Sequence, residues 1–170
     1  TEYRTKMQTI LESLETEKGS LSKKDVYAHP KYVSALVEYI VEDFKHSRIA
    51  LGDSTIGGMI VCDSSPQAVK IEEELDKYPE LTHELILCDV EDKEPRRGYQ
   101  EDFKKGKIDL LVVYNMLLTG FDAPRLKKQY LGRVIREHNL LQTLTRVNRP
   151  YKTFRYGYVV DFADIRNEFD

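Results

Sequence analysis

Three short segments bring together residue types that can handle phosphate. In Gln142-Thr143-Leu144-Thr145-Arg146-Val147-Asn148-Arg149-Pro150, Arg146 and Arg149 stand three apart on a predicted helix and share a face, with Gln142 one turn earlier. Two guanidiniums and an amide converging there suit phosphate oxygens, because each guanidinium presents a planar fork of donors. An arginine reaching a phosphate pocket from outside stabilises the charge that develops during phosphoryl transfer. Pro150 ends the helix directly after Arg149 and sets that arginine at an exposed corner. A pair of surface arginines bridged to nearby acids would look the same. In Thr119-Gly120-Phe121-Asp122-Ala123-Pro124, Thr119 is a hydroxyl donor and Gly120 permits a close approach or an unusual backbone angle. Asp122 is an acceptor for a ribose hydroxyl or a loop amide, or equally for its own backbone in a turn. In Val61-Cys62-Asp63-Ser64-Ser65, two hydroxyls precede Pro66 at a helix start. They can face a phosphate together with the helix N–H groups, or simply cap the helix.

The elements that must position these segments follow from hydrophobic spacing. Met7, Ile10, Leu11 and Leu14 predict a helix over residues 3–16, broken at Glu17-Lys18-Gly19-Ser20. A second helix starts at His29-Pro30 with Tyr32, Val33, Ala35, Leu36, Tyr39, Ile40, Val41 and Phe44 as its apolar face. Residues 51–58 read as a loop, with Gly52, Asp53, Gly57 and Gly58 as breakers. Met59-Ile60-Val61-Cys62, Leu85-Ile86-Leu87-Cys88 and residues 108–113 read as buried strands, and residues 156–160 as a last one. Residues 128–135 are either a further strand or a loop that presents Arg133 and Arg136. Helices run from Ser65-Pro66 to Tyr78-Pro79, over 97–105 with Gly106 as the stop, and over 139–147. Short apolar strands alternating with helices predict βαβ units, an α/β class and a parallel sheet. Ligands of such sheets lie at the carboxyl ends of the strands. The expected organisation is a helical linker or preamble over 1–52 and one lobe over 53–170.

Composition narrows the function classes. The 170 residues carry a net charge of -3, which excludes a polybasic protein. Charge is nonetheless uneven: residues 125–155 hold nine basic side chains and one acid, Glu137. That window reads either as a phosphate-facing surface or as a solvated basic face. No run approaches the roughly 18 apolar residues of a membrane helix, and no signal peptide is visible. Cys62 and Cys88 end apolar runs, which predicts buried free thiols in a reducing cytoplasm. The four histidines lack zinc spacing, and no phosphate loop or G-x-G-x-x-G is present, so no metal site and no complete nucleotide site is expected. Thr1 in place of Met lets the chain be read as a piece of a longer one.

The order of the three segments resembles the second RecA-like lobe of superfamily 2 helicases and translocases. Met59 to Ser65 is similar to motif IV, Leu118 to Pro124 to motif V, and Gln142 to Arg149 to motif VI, with Thr145 where that motif carries Gly. Four stretches resemble the R subunit of type I restriction enzymes more specifically: His29-Pro30 through Val41-Glu42-Asp43-Phe44, the Thr119 to Pro124 loop, His138-Asn139-Leu140-Leu141-Gln142, and Arg146-Val147-Asn148-Arg149-Pro150-Tyr151. Tyr156-Gly157-Tyr158-Val159-Val160-Asp161 follows them, so the likeness covers roughly residues 25–165.

The resemblance implies a motor in which ATP and Mg²⁺ are held between two lobes, mainly by a first lobe absent from this chain. Arg149 would be the arginine finger, Arg146 a second phosphate or coupling contact, and Gln142 a residue that positions motif VI. Gly120 and Asp122 would belong to the nucleotide side, with Asp122 touching the ribose or tying motif V to motif VI. Thr119, Ser64 and Ser65 would contact the backbone of duplex DNA on the other side of the lobe. The implied partners are the first lobe and the methyltransferase and specificity subunits of a restriction complex; cleavage would belong to a separate nuclease domain. The isolated piece is expected to hydrolyse nothing. Two other readings fit the residues: a lobe of another superfamily 2 helicase, and a non-catalytic α/β docking module.

Overall fold

The computed structural model describes Thr5, residues 8–10 and 12–13, and residues 27–87, 93–114, 123–132 and 149–162. Thr5, residues 8–10 and residues 12–13 are helical; the rest of the predicted first helix lies outside the described residues. The long helix α1 spans Pro30–Leu51. Pro30 fits its first turn, where no N–H is needed, and His29 Nδ1 accepts from Lys31 N at 3.2 Å. Gly52, at φ 66°, closes the other end: its N–H bonds Ile49 O and that of Asp53 bonds Arg48 O.

Five strands follow: β1 (Gly57–Val61), β2 (His83–Leu87), β3 (Leu110–Tyr114), β4 (Leu126–Leu131) and β5 (Tyr158–Asp161). They form one sheet in the order β2-β3-β1-β4-β5, and every pairing is parallel. Helices α2 (Ser65–Leu75) and α3 (Lys93–Lys104) provide the crossovers between β1, β2 and β3. Parallel strands need cover on both faces, and the core divides accordingly. On one face Ile60, Leu110, Val112 and Tyr130 pack with the α1 stripe from Tyr32 to Phe44 and with Ala68, Ile71 and Leu75 of α2. On the other, Met59, Val61, Leu111, Val113 and Leu131 pack with Phe103 of α3. The predicted α/β class and parallel sheet are thus present, with helix α1 sharing a core with the strands.

Several boundaries differ from the sequence reading. Gly57 and Gly58 are not loop breakers but the first two residues of β1. A Cβ on Gly57 would lie 2.6 Å from Phe103 Cζ and 2.8 Å from Arg125 Nη1, and one on Gly58 2.8 Å from Leu110 Cδ2. Close packing, rather than a turn, therefore explains both. Gly57→Ala should destabilise the chain by about 1–3 kcal/mol through overpacking, measured as a lower thermal midpoint; an unchanged midpoint would refute the packing account. The fourth strand ends at Leu131, four residues short of the predicted limit, and Arg133 and Arg136 lie outside the described residues. Helix α3 begins at Lys93, four residues before the predicted start at residue 97. Gly106, at φ 84°, stops it as expected, donating to Phe103 O. The predicted 139–147 helix lies outside the described residues. Among the described residues no helix is long and apolar enough to cross a membrane.

Candidate functional site

The two ends of the sheet carry different chemistry. At the carboxyl end of β1, Ser64 takes an extended backbone and caps α2, its Oγ accepting from Gln67 N at 3.2 Å. It is buried, at 3% exposure, so the structure gives it the capping geometry that its position also allowed. Ser65 is half-buried at the first helical position, and Pro66 after it contributes no N–H. Asp63 N donates to Gln67 Oε1 at 2.7 Å, which ties the loop back to the helix. Cys62, just before, is a buried free thiol as expected, and burial among apolar atoms near Asp63 and Glu72 pushes its pKa far up. Cys88 lies outside the described residues.

Arg149 lies at the opposite, amino-terminal end. Lys127, second residue of β4, donates its Nζ to the Arg149 carbonyl oxygen. Gly57 N bonds Arg125 O across the same end. Tyr151 OH lies 2.7 Å from Thr55 Oγ1, two residues before β1 starts. Ser64, by contrast, lies three residues beyond the end of β1, so the length of that strand, roughly 13 Å at about 3.3 Å per residue, separates the two regions. Arg149 therefore does not lie at the carboxyl ends of the strands, where ligands of such sheets are expected. Arg149 itself is exposed, as the Pro150 stop predicted. Arg146, Gln142, Thr119, Gly120 and Asp122 lie outside the described residues.

The basic window resolves into two kinds of residue. Arg125, Lys127 and Lys128 are buried, at 4%, 0% and 5% exposure, so for them neither a phosphate-facing nor a solvated surface is correct. Arg125 Nη1 donates to Phe103 O at 2.7 Å and Ile108 O at 2.8 Å, and its Nε to Thr55 O at 2.9 Å. Its guanidinium stacks 4.5 Å from the Phe103 ring centroid. Lys128 Nζ lies 2.8 Å from Asp43 Oδ2 on α1, and Tyr130 OH donates to the same oxygen at 2.7 Å. These charges hold strands and helices together. Arg149, Lys152 and Arg155 remain at the surface.

A compact polar network pins the turn after Arg149. Tyr151 and Phe154 exchange backbone hydrogen bonds at 2.9 and 2.8 Å, closing a two-residue turn. Lys152 takes φ 53° there, a left-handed conformation that a side chain disfavours. Its Nζ reaches Asp53 Oδ2 at 3.0 Å and Thr55 Oγ1 at 2.9 Å. Asp53 Oδ1 also accepts from Thr55 N at 2.7 Å and Thr55 Oγ1 at 2.5 Å. Those hydrogen bonds from Thr55, aided by Lys152, hold the Asp53 carboxyl down at about 2. Nearby, Arg48 Nη2 bonds Ile56 O at 2.8 Å and Asp109 Oδ1 at 2.7 Å, and so fixes the entries to β1 and β3.

Sequence reasoning missed Lys127, Arg125 and the Asp53–Thr55 loop. One signal was available: a buried parallel strand is normally a near-continuous apolar run, yet β4 reads Leu126-Lys127-Lys128-Gln129-Tyr130-Leu131. Three consecutive polar residues there need partners. Gln129 Oε1 and Glu72 Oε2 are buried with no hydrogen-bond partner among the described residues. Among the described residues no group of three or more His, Cys, Asp and Glu could hold a metal ion.

The all-parallel five-stranded sheet between two helical layers is a RecA-like fold that solved helicase domains share. Bacteriophage T4 UvsW shares it with a TM-score of 0.59 at 14% identity, over 94% of this chain and 29% of that one. Domain 2 of the DEAD-box helicase Mss116p, solved bound to an RNA duplex, shares it with a TM-score of 0.55 at 20% identity, over 79% of this chain and 50% of that one. Residues 60–164 match the family model for domain 3 of the type I restriction enzyme subunit R, and the chain belongs to that family. The MjaVIIP type I restriction enzyme endonuclease subunit of Methanocaldococcus jannaschii is 28% identical over 169 aligned residues, covering 81% of this chain and 15% of its own length. The SauCOLORF180P endonuclease subunit of Staphylococcus aureus (strain COL) is 36% identical over 75 residues, covering 44% of this chain and 8% of its own length. The chain thus spans less than a sixth of the curated relatives it matches.

Proposed function

We propose that this chain is the second lobe of an ATP-driven DNA translocase in the endonuclease subunit of a type I restriction enzyme, acting with a first lobe that holds ATP and Mg²⁺. One observation carries the reading most directly: Arg149 is exposed while its backbone is gripped from inside the sheet by a buried lysine. In this reading the Arg149 guanidinium meets the γ-phosphate as water attacks phosphorus and the bond to the β-phosphate breaks. Arg146 makes a second phosphate or coupling contact, and Gln142 positions the helix. Gly120 and Asp122 serve the nucleotide side.

Duplex DNA passes the opposite edge, where Ser65 meets its backbone and Ser64, as the cap of α2, shapes the loop; Thr119 makes a further backbone contact. Backbone contacts carry no base information, so site recognition falls to a specificity subunit and modification to a methyltransferase subunit. The separation of Ser65 from Arg149 by the length of β1 favours this division, because opening and closing of an ATP cleft at one edge then moves a DNA contact at the other. The test is the DNA dependence of ATPase in the parent protein. Thr119→Ala removes one hydrogen bond to a charged phosphate, a loss of about 1.5 kcal/mol, and should raise the duplex concentration for half-maximal ATPase about 10-fold. An unchanged DNA dependence would remove Thr119 from the contact surface, and a parent ATPase indifferent to DNA would overturn the translocase reading.

A further inference from the structure

We infer that Lys127 is a positioning residue for Arg149, holding the backbone of the finger at the amino-terminal edge of the sheet; the inference rests on the finger reading above. The side chain of Lys127 is completely buried in a strand between two others. An ammonium there is costly to desolvate, and burial lowers its pKa from the ordinary lysine value. A leucine or isoleucine would fill the same space without that cost. What the lysine adds includes a charged donor on the carbonyl of Arg149.

The backbone is shaped to aim it. Gly57 pairs with Leu126 and Gly58 with Lys128, so Lys127 is the extra residue of a bulge. A bulge breaks strict alternation and re-aims the side chain it carries. Three further anchors act within the next few residues. Pro150 fixes its own φ, Tyr151 OH meets Thr55 Oγ1 at 2.7 Å, and Lys152 Nζ meets Asp53 and Thr55 at 3.0 and 2.9 Å. The unfavourable φ of 53° at Lys152 is retained where a glycine would be relaxed, which fits a side chain kept for its contacts. Arg149 therefore leaves a backbone held at its own carbonyl and again two and three residues later. A finger acts through its placement, and a displacement of about 1 Å can cost 10²-fold in rate.

The test uses the parent protein with saturating duplex DNA. Lys127→Met keeps the length of the side chain and removes the donor. We expect kcat per folded molecule to fall on the order of 10–100-fold with little change in the KM for ATP. In an Arg149→Ala background the same substitution should add nothing, because both act on one contact. Lys152→Gly relaxes the turn backbone but deletes the Nζ contacts; Lys152 is at the surface, so the fold should persist while kcat falls roughly 3- to 10-fold through the looser placement. If Lys127→Met does not fold, Lys127→Leu, which also removes the donor, decides. Unchanged kcat per folded molecule in the deciding variant would overturn the inference, as would an equal loss from Lys127→Met with and without Arg149. Wild-type turnover in Arg149→Ala alone would instead sink the finger reading, and this inference with it.

Discussion

Arg125→Met should lower the stability of the 170-residue chain by about 3–5 kcal/mol, among the largest effects of any single substitution in it. For a chain of this size that corresponds to a drop of roughly 10 °C in the thermal midpoint. The cause is the number of acceptors that one guanidinium serves. Thr55 O precedes β1, Phe103 O ends α3 and Ile108 O precedes β3, so one side chain of the segment entering β4 ties three other segments together. Methionine fills much of the space but donates nothing, leaving buried carbonyls short of a donor and Phe103 short of its stacked cation. Arg125→Lys should recover little, because a point charge cannot reproduce a fork that bonds through both Nε and Nη1. Calorimetric unfolding checks this; a midpoint shift of only a degree or two in Arg125→Met would mean that the fork is not what holds these segments.

Arg149→Ala in the parent protein should leave ATP binding intact and remove most hydrolysis. An arginine finger contributes roughly 10³–10⁵ in rate, equivalent to about 4–7 kcal/mol of transition-state stabilisation. The loss falls on the chemical step because the guanidinium interacts most strongly with charge that develops as the γ-phosphoryl group transfers. In the proposed reading the first lobe holds the nucleotide, so nucleotide affinity should change little by comparison. Alanine retains the carbonyl that accepts from Lys127, so that anchor of the lobe survives the substitution. The substitution is therefore cleaner than Arg125→Met, which acts on folding rather than on chemistry.

Much of the fold was legible because the sheet is parallel and buried. Met59-Ile60-Val61 and Leu110-Leu111-Val112-Val113 are apolar runs that both-sided burial demands, and Leu85-Ile86-Leu87, although in an edge strand that leaves Leu87 exposed, also lies within an observed strand. His29-Pro30 and Ser64-Ser65-Pro66 marked helix starts through capping chemistry that is local in sequence. Gly57 and Gly58 misled because glycine supplies both flexibility and smallness. The need for smallness here comes from Phe103, Leu110 and Phe44, all distant in sequence. Within β4, the charges of Lys127 and Lys128 masked a strand whose acceptors lie 22 residues ahead at Arg149 and on α1 at Asp43.

The candidate site was legible only in part, for the same reason. A motif spacing placed Arg149 at an exposed corner, and the structure has it exposed. Nothing local could reveal that its carbonyl meets a buried lysine, or that Asp53 and Thr55, roughly a hundred residues earlier, hold the turn beyond it. The uneven charge was real, but three of the nine basic residues in that window serve the interior. Net charge counts side chains without their partners, and a buried guanidinium that serves carbonyls contributes little field at the surface.

The central claim is that this lobe lends Arg149 to an ATPase whose other half binds the nucleotide. It is tested most directly by single-turnover ATP hydrolysis in the DNA-bound parent protein, wild type beside Arg149→Ala, with nucleotide binding measured on the same samples. The account predicts equal binding, fast hydrolysis in the wild type, and a rate lower by roughly 10³-fold or more in the variant. Equal hydrolysis in the two proteins, or no hydrolysis in a folded, nucleotide-bound and DNA-bound wild type, would contradict it.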